Sequence, residues 1–335
     1  MTEIDIATAG RFLPVPMPEF SLHARQRLAD GLRDAALQQF DQAIAGLTEG
    51  GDIDPAIHEA RKAMKRIRAM LRLVRPVISH DVYRAENGIL RDTARMIAPI
   101  RDGRVMVDTV RDLRERFALQ LRPTALDGLE QALAARHQRT RAVLMHDHGA
   151  VRHTVYVLRS ARARYASWPV EDDAVNGRNA ISHRYESVGE GLEATYRRGR
   201  DEMRTAIDHP TAEHFHLWRK RAKYLRHQTE LLMPLWPEVL EGYAGTLHQL
   251  GEVLGAEHDL AELLRLVVHV PDLAADPIER SLLVALAQHR RREFQTTAIT
   301  IGRRIYCERP GDFTRRHQAY WEAWETETRP AETAL

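Results

Sequence analysis

Two segments of the sequence place a histidine and a row of cations on one side of a predicted helix. The first runs from His58 to Arg68 (HEARKAMKRIR) and the second from His216 to Arg226 (HLWRKRAKYLR). At about 100° per residue, the basic residues of each copy share one sector of the helix surface, and apolar residues lie opposite. Guanidinium groups bind phosphate oxygens through paired hydrogen bonds, and ammonium groups bind them as point charges. We therefore predict phosphate contacts for His58, Arg61, Lys62, Lys65, Arg68 and Arg72, and for His216, Arg219, Lys220, Lys223 and Arg226.

The charge of these two segments is strongly one-sided. From His58 to Arg75 there are seven Lys or Arg and one acid, and from His216 to Leu232 there are five and one. The whole chain has a formal net charge of only +2 at pH 7, so the remainder is acidic. An exposed helix face usually mixes signs, because like charges one turn apart repel each other. The pattern favours an anionic ligand, with a solvated face as the simpler alternative.

Composition indicates a soluble globular protein. Of the 335 residues, 44% are hydrophobic and 29% are charged, and the one cysteine, Cys307, excludes an intramolecular disulfide. The segment from Met1 to Pro18 lacks the basic and apolar stretches of a signal peptide. No apolar run reaches the length of about 18 residues that a membrane span requires. We expect a cytoplasmic protein.

Helical patterns fill almost the whole chain and are separated by Pro, Gly and Asp or Thr clusters. No alternating run of apolar and polar residues is long enough to require a strand. The sequence therefore predicts an all-α fold. The predicted helices are 21–47, 54–75, 81–98, 100–121, 124–148 and 150–167, followed by 179–208, 211–233, 237–255, 257–270, 276–307 and 312–325.

The repeat extends beyond the basic helices. Residues 90–102 align with residues 247–259 at an offset of 157, and the basic helices align at an offset of 158. So constant an offset indicates internal duplication. Two related bundles packed about a pseudo-twofold axis could bring both cationic faces into one groove. The predicted segments are a leader at 1–20, a first bundle at 21–167, a connector at 168–178, a second bundle at 179–325 and a tail at 326–335.

As a set, these motifs closely resemble the CHAD family, the conserved histidine α-helical domain. The family carries two helices of the form His-x-x-Arg-(Lys/Val)-x-x-(Lys/Arg)-x-x-Arg, each followed by a segment like Leu-x-x-Leu-Gly-x-x-Arg-Asp. The likeness extends from about Ser21 to Trp324. One departure is Ile97–Ile100, which replaces the usual Leu-Gly pair, and another is His258, which stands where an arginine is typical.

The resemblance implies two four-helix bundles related by a pseudo-twofold axis, with a basic groove or channel that binds inorganic polyphosphate or another polyanion. It also implies an association with polyphosphate granules, and it implies no cofactor. Further candidate phosphate ligands are Arg197, Arg200, Arg290 and Arg303. We expect Asp102 and Asp259 to orient nearby arginine side chains rather than to act in catalysis.

Other functions stay open as alternatives. The same groove could bind single-stranded RNA or DNA, although such modules usually add aromatic platforms for bases and the basic faces offer little beyond Tyr224. Acidic protein partners could also occupy it.

A polyphosphate or triphosphate hydrolase would need clustered carboxylates that hold a divalent metal, and the basic faces contain almost none. The motif Glu325-Thr326-Glu327-Thr328-Arg329 resembles a tunnel-phosphatase signature only superficially. A metal site at His146-Asp147-His148 with His153 is less probable than an exposed helix end. We therefore expect neither an enzyme nor a metal site.

Overall fold

A computed structural model describes residues 17–23, 26–49, 52–146, 149–168, 181–274 and 276–328. Helices account for most of these residues, and no β-strand occurs among them. The all-α fold predicted from the sequence is therefore confirmed. In chain order the helices are α1 Leu28–Thr48, α2 Ile53–Leu73, α3 His80–Met96, α4 Ala98–Arg116, α5 Asp127–His146, α6 Gly149–Ala166, α7 Glu186–Asp208, α8 Ala212–Leu231, α9 Pro237–His269, α10 Pro277–Ile305 and α11 Pro310–Thr328.

Parts of the predicted organisation lie outside the described residues. They are residues 1–16 of the leader, 169–178 of the connector and 329–335 of the tail. Asp147 and His148 of the histidine cluster and Arg329 of the C-terminal motif also lie outside them. Among the described residues, no helix combines the length and apolar character that a membrane crossing needs.

The two basic helices, α2 and α8, each begin at a capping side chain. The Asp52 carboxylate accepts a hydrogen bond from the N–H of Asp54 (3.3 Å), and the Thr211 hydroxyl accepts one from the N–H of His214 (3.3 Å). These bonds satisfy donors that the first helical turn leaves free. One face of each helix is apolar and buried, which leaves the cations on the other: Ile57, Ala60, Met64 and Ile67 in α2, and Phe215, Trp218, Ala222 and Leu225 in α8.

A buried hydrogen bond joins the two basic helices. Gln228 Nε2 of α8 donates to the backbone carbonyl of Ala69 in α2 at 3.0 Å, and both residues are fully buried at 0% exposure. Leaving such a buried group without its partner costs about 1–3 kcal/mol. The bond therefore fixes how α2 lies against α8.

The equivalent segments of the two halves differ in one respect. α3 ends at Met96 and α4 begins at Ala98, with Pro99 in its first turn, where the missing N–H is tolerated but would interrupt a continuing helix. The equivalent position in the second half is Ala256, and α9 runs through it without a break. The prediction of two separate helices at 237–255 and 257–270 was therefore wrong, because one helix spans both.

The hydrophobic core has two parts, and both draw on both halves of the sequence. The larger part contains buried residues from Phe20 to Trp168 and from Ile181 to Trp324. The smaller part joins α4 and α5 to the C-terminal half of α9 and the N-terminal half of α10, through residues such as Val110, Leu129 and Leu263. The predicted division between the halves is thus not a division between separate cores.

Candidate polyanion-binding site

The cationic faces of α2 and α8 meet at one cavity of about 1240 Å³, called here the basic cavity. Thirteen Lys or Arg and six Asp or Glu line it, whereas the whole chain has a net charge of only +2. Positive charge is therefore concentrated around this one space. The predicted ligands that line it are His58, Arg61, Lys65 and Arg68 of α2, His216, Arg219, Lys220 and Lys223 of α8, and Arg290 of α10.

Lys65 and Lys223, one from each basic helix, approach each other in the basic cavity. Burial, together with the charges of Arg219 and Lys65, lowers the pKa of Lys223 to about 7. Burial lowers the pKa of Lys65 to about 8, with Arg61 and Arg219 contributing. The neighbouring carboxylates therefore do not compensate this positive charge. An anion placed against the two lysines would favour their ammonium forms and raise both pKa values.

The side chains of Arg219 and Lys223 pack against α9 at two glycines of that helix, Gly251 and Gly255. A Cβ at Gly251 would stand 3.8 Å from Lys223 Cε, and a Cβ at Gly255 would stand 3.7 Å from Arg219 Nε. The two long side chains therefore pack on bare helix surface. Arg219 Nε is buried and has no hydrogen-bond partner among the described residues, so it is a donor available to a ligand oxygen.

The two predicted orienting carboxylates behave differently. Asp102 accepts a hydrogen bond from Arg61 Nη1 at 3.3 Å, which is the arrangement expected for it. Asp259 is half-buried; burial raises its pKa, and the charges of Arg219 and Lys223 oppose that rise. No hydrogen bond among the described residues joins Asp259 to either cation, so its effect on them is electrostatic.

Three histidines of the basic cavity have a lowered pKa, which favours their neutral form. Burial lowers the pKa of His216, and Arg219 and Lys220 add to the effect. Burial and then Arg219 lower the pKa of His258 to about 4. The Nδ1 atoms of His216 and His258 lie 3.3 Å apart, and the pKa of His58 is also lowered, first by burial and then by Arg101. These rings can supply neutral hydrogen bonds to an oxyanion.

Comparison with known proteins agrees with this arrangement of helices. The family model named CHAD domain matches residues 31–268. The chain belongs to the CHAD family. One similar solved structure is the crystal structure of the CHAD domain from the plant Ricinus communis, with a TM-score of 0.59 and 17% sequence identity over 86% of this chain and 97% of that chain. At this identity the likeness establishes the CHAD fold alone. No curated protein matches the chain.

Six predicted ligands lie outside the residues that line the basic cavity: Lys62, Arg72, Arg226, Arg197, Arg200 and Arg303. Two of them are neutralised on their own helix. Lys62 pairs with Glu59 at 3.1 Å, and Arg226 pairs with Glu230 at 2.7 Å.

Arg72 contacts neutral groups instead of facing the basic cavity. Its guanidinium lies 4.0 Å from the centroid of the Tyr224 ring, and Nη1 donates to Asn87 Oδ1 at 3.0 Å. Arg197 is exposed beside Glu193 at 3.6 Å. Arg303 is exposed on the C-terminal part of α10, whereas Arg290 lies further toward the start of that helix.

Several cations of the basic cavity were not predicted: Arg91, Arg95, Arg101, Arg116, Arg136 and Arg265. Arg91, Arg95 and Arg101 lie in the repeated segment 90–102, whereas Arg116, Arg136 and Arg265 lie outside the repeated motifs. All except Arg136 have an acid within four residues in the sequence, so local charge gave no signal. Arg101 is an exception, because it fills the arginine position of the CHAD segment whose second copy carries His258. Both residues line the basic cavity, as equivalent positions of a duplicated fold would.

The metal-binding alternative finds no new support in the described part of the chain. There, no group of three or more His, Cys, Asp or Glu side chains is arranged to hold a metal ion. His153 lies 6.5 Å from Tyr156, ring centroid to ring centroid, and its predicted partners Asp147 and His148 lie outside the described residues.

Proposed function

We propose that this CHAD protein binds inorganic polyphosphate in the basic cavity without catalysing a reaction on it. The observation that carries the proposal is the surplus of cations in one space, thirteen Lys or Arg, three of them from each of the two repeated helices, against six acids. Polyphosphate is a flexible chain of negatively charged units. Many separate contacts between cations and its phosphates can add up to tight binding without recognition of a sequence or shape, as in the binding of nucleic-acid backbones.

The individual cations suit this task in different ways. Arg219 offers a buried Nε–H that has no partner among the described residues, and Arg61 is held by Asp102 at 3.3 Å. A guanidinium can donate two parallel hydrogen bonds to one phosphate. Lys65 and Lys223 would supply compact charges between the two helices. Neighbouring cations contribute to the lowered pKa values of these two lysines, and a bound anion would relieve this charge repulsion.

Polyphosphate fits the basic cavity better than single-stranded RNA does. Single-strand modules stack bases on accessible aromatic rings. The one tyrosine and the one phenylalanine among the described residues that line the basic cavity already carry guanidinium groups, with Arg72 4.0 Å from the Tyr224 ring and Arg290 4.1 Å from the Phe294 ring. The described structure therefore offers bases little platform, while its phosphate-binding groups stay available.

Two carboxylates of the basic cavity, Asp102 and Asp259, support a binding role rather than hydrolysis. Asp102 accepts from Arg61, and Asp259 lies in the field of Arg219 and Lys223. Both therefore face cations that would bind phosphate. We extend the proposal to the cell: polyphosphate binding would recruit the protein to polyphosphate granules.

The test is titration of long-chain polyphosphate at two salt concentrations. The variant Arg61→Glu/Lys65→Glu/Arg219→Glu/Lys223→Glu should lose binding while it stays helical. Its matched control, Arg197→Glu/Arg204→Glu/Arg303→Glu/Arg304→Glu, changes the charge equally at exposed positions outside the basic cavity and should bind like wild type. With about eight phosphate contacts, single-strand counterion release predicts that wild-type affinity falls about 10³-fold between about 50 and about 200 mM salt.

Three results would contradict the proposal. They are equal binding by wild type and the cavity variant, loss of binding in the control alone, and absence of binding by wild type. A single-stranded RNA homopolymer serves as competitor, and displacement of polyphosphate by an equal concentration of RNA phosphates would favour the nucleic-acid alternative.

A further inference from the structure

A second, smaller cavity lies beside the basic cavity and is also surrounded by arginines. This arginine pocket has a volume of about 50 Å³ and shares Tyr224 with the basic cavity. Its cations are Arg72 and Arg75 at the end of α2, Arg198 of α7 and Arg221 of α8. None of the described residues that line it is acidic. Four guanidinium groups therefore converge on a small space without a carboxylate in its walls.

Neutral groups hold the two arginines from the end of α2. Arg72 stacks on Tyr224 at 4.0 Å, and Arg75 stacks on Tyr83 at 4.8 Å. Stacking orients a guanidinium but leaves its charge in place. Burial lowers the pKa of Arg72, and the charge of Arg221 contributes to that lowering, so these guanidiniums are close enough to repel each other.

The two arginines from α7 and α8 are only weakly paired. Arg221 Nε is buried and has no hydrogen-bond partner among the described residues. Its nearest carboxylate oxygen, Glu202 Oε1, lies 3.5 Å away, outside the lining of the arginine pocket. Arg198 is exposed, and no ion pair of the described residues involves it. Glu202 thus offsets one of the four charges at most.

The C-terminus of α2 carries the partial negative charge of the helix dipole, which would by itself stabilise arginines at this position. The last carbonyls of α2 are, however, covered by α7. A Cβ at Gly191 would lie 1.8 Å from the Leu73 carbonyl oxygen and 2.8 Å from that of Arg72, so the backbone of α7 lies directly against them. Arg72 Nη1 also donates to the carbonyl of Arg68, one turn earlier in α2, at 2.8 Å. The helix end carries only about half a negative charge, which offsets part of four guanidinium charges, so a surplus of positive charge is left in the pocket.

We infer that the arginine pocket is a second anion site, which takes a single phosphate group as its ligand. A water molecule needs about 10–15 Å³ of such space, so about 50 Å³ admits an oxyanion of a few heavy atoms. A polyphosphate chain needs far more room, such as the basic cavity provides. The Arg72–Tyr224 stack separates the two spaces, and the two sites can therefore be tested independently.

The test follows the Nε–H signals of ¹⁵N-arginine in the full chain by NMR while orthophosphate is added, with chloride at matched ionic strength as reference. The background is the cavity variant Arg61→Glu/Lys65→Glu/Arg219→Glu/Lys223→Glu, which leaves the arginine pocket unchanged. We expect saturable, phosphate-specific shifts of Arg72, Arg75, Arg198 and Arg221. If that variant does not fold, wild type replaces it, and the shifts of the four pocket arginines are compared with those of Arg61 and Arg219 in the basic cavity.

Adding Arg198→Gln/Arg221→Gln replaces two charge-assisted hydrogen bonds by neutral ones and should weaken phosphate binding about 10- to 100-fold. The control Arg204→Gln/Arg303→Gln alters exposed arginines outside both cavities and should leave it unchanged. Tighter binding of pyrophosphate than of orthophosphate would assign the site to the terminal phosphate of a longer molecule. Equal shifts with chloride, or equal binding by the two double variants, would overturn the inference. Neither outcome depends on whether the basic cavity binds polyphosphate.

Discussion

The two buried lysines predict that polyphosphate binding takes up protons. In the free protein Lys223 has a pKa of about 7 and Lys65 has a pKa of about 8. A polyanion binds their ammonium forms, so the apparent affinity follows the protonated fraction of the free protein. The charges that face these lysines are those of Arg61, Arg219, Asp102, Glu252 and Asp259, together with Arg68.

The size of the effect follows from the two pKa values. Between pH 7 and pH 9 the protonated fraction of Lys223 falls about 50-fold, and that of Lys65 falls about 10-fold. Affinity for polyphosphate should fall by up to about the product of these factors, at constant salt. At pH 8, binding should take up about 0.9 proton through Lys223 and about 0.5 through Lys65.

The stability of the free protein should change with pH in the opposite sense. The folded pKa of each lysine lies below its unfolded value, so the unfolded chain holds more protons and the free energy of unfolding rises with pH. For Lys223 the rise between pH 7 and pH 9 is about 2.3 kcal/mol, which is the same factor of about 50 expressed as a free energy. The cost of holding the unbound cations together is thus relieved either by deprotonation or by an anion.

The assay is calorimetric titration of long-chain polyphosphate in buffers of different ionisation enthalpy at pH 8. The buffer dependence of the heat gives the number of protons taken up. Lys223→Arg keeps the charge and removes the titration, so it should lower the uptake to about 0.5 proton and leave only about a 10-fold loss of affinity by pH 9. Zero uptake by wild type, with unchanged affinity from pH 7 to pH 9, would refute the reasoning.

Two further predictions concern a carboxylate and a close helix contact. Asp102→Asn should leave polyphosphate affinity equal or raise it a few-fold. The ion pair of the exposed Asp102 with Arg61 at 3.3 Å is worth only about 0–1 kcal/mol, and the substitution removes one charge that repels the ligand. A loss of affinity above 10-fold, measured by the same titration, would give Asp102 a larger role in positioning Arg61. Gly191→Ala should destabilise the protein by about 3 kcal/mol or more, because its Cβ would lie 1.8 Å from the Leu73 carbonyl oxygen. Gly242→Ala in α9, with nothing within 4 Å of its Cβ, should instead stabilise it by about 0.5–1 kcal/mol; thermal unfolding of both variants checks the contrast.

Helical periodicity predicted the cationic faces because it is a local property of the sequence. It placed Lys65 and Arg72, about two turns apart, on the same stripe of α2. Periodicity cannot tell where along a helix the stripe meets a cavity and where it meets another helix. Lys65 lines the basic cavity, whereas Arg72 stacks on Tyr224 of α8. That difference comes from the crossing of α2 and α8, which depends on contacts far apart in sequence.

A local signal could have removed two of the predicted ligands in the basic helices. Lys62 has Glu59 three residues before it, and Arg226 has Glu230 four residues after it. Side chains at these spacings are neighbours on a helix surface, and both pairs form. Lys65 and Lys223 have no acid at either spacing, and both line the basic cavity. On these two helices, cations that have no acid three or four residues away were therefore the better candidates for lining the basic cavity.

Two positions that align between the halves of the sequence line the same cavity but differ in their chemistry. Arg101 and His258 correspond in the two halves, and both line the basic cavity. Arg101 adds a permanent charge on its side, whereas His258, with a pKa of about 4, stays neutral beside His216 at 3.3 Å. Arg219 already lowers the pKa of His258, so an arginine there would face a like charge at close range. A neutral histidine at position 258, where the CHAD pattern has an arginine, therefore adds no further positive charge beside Arg219 and Lys223. This limits the charge repulsion within the unbound cavity.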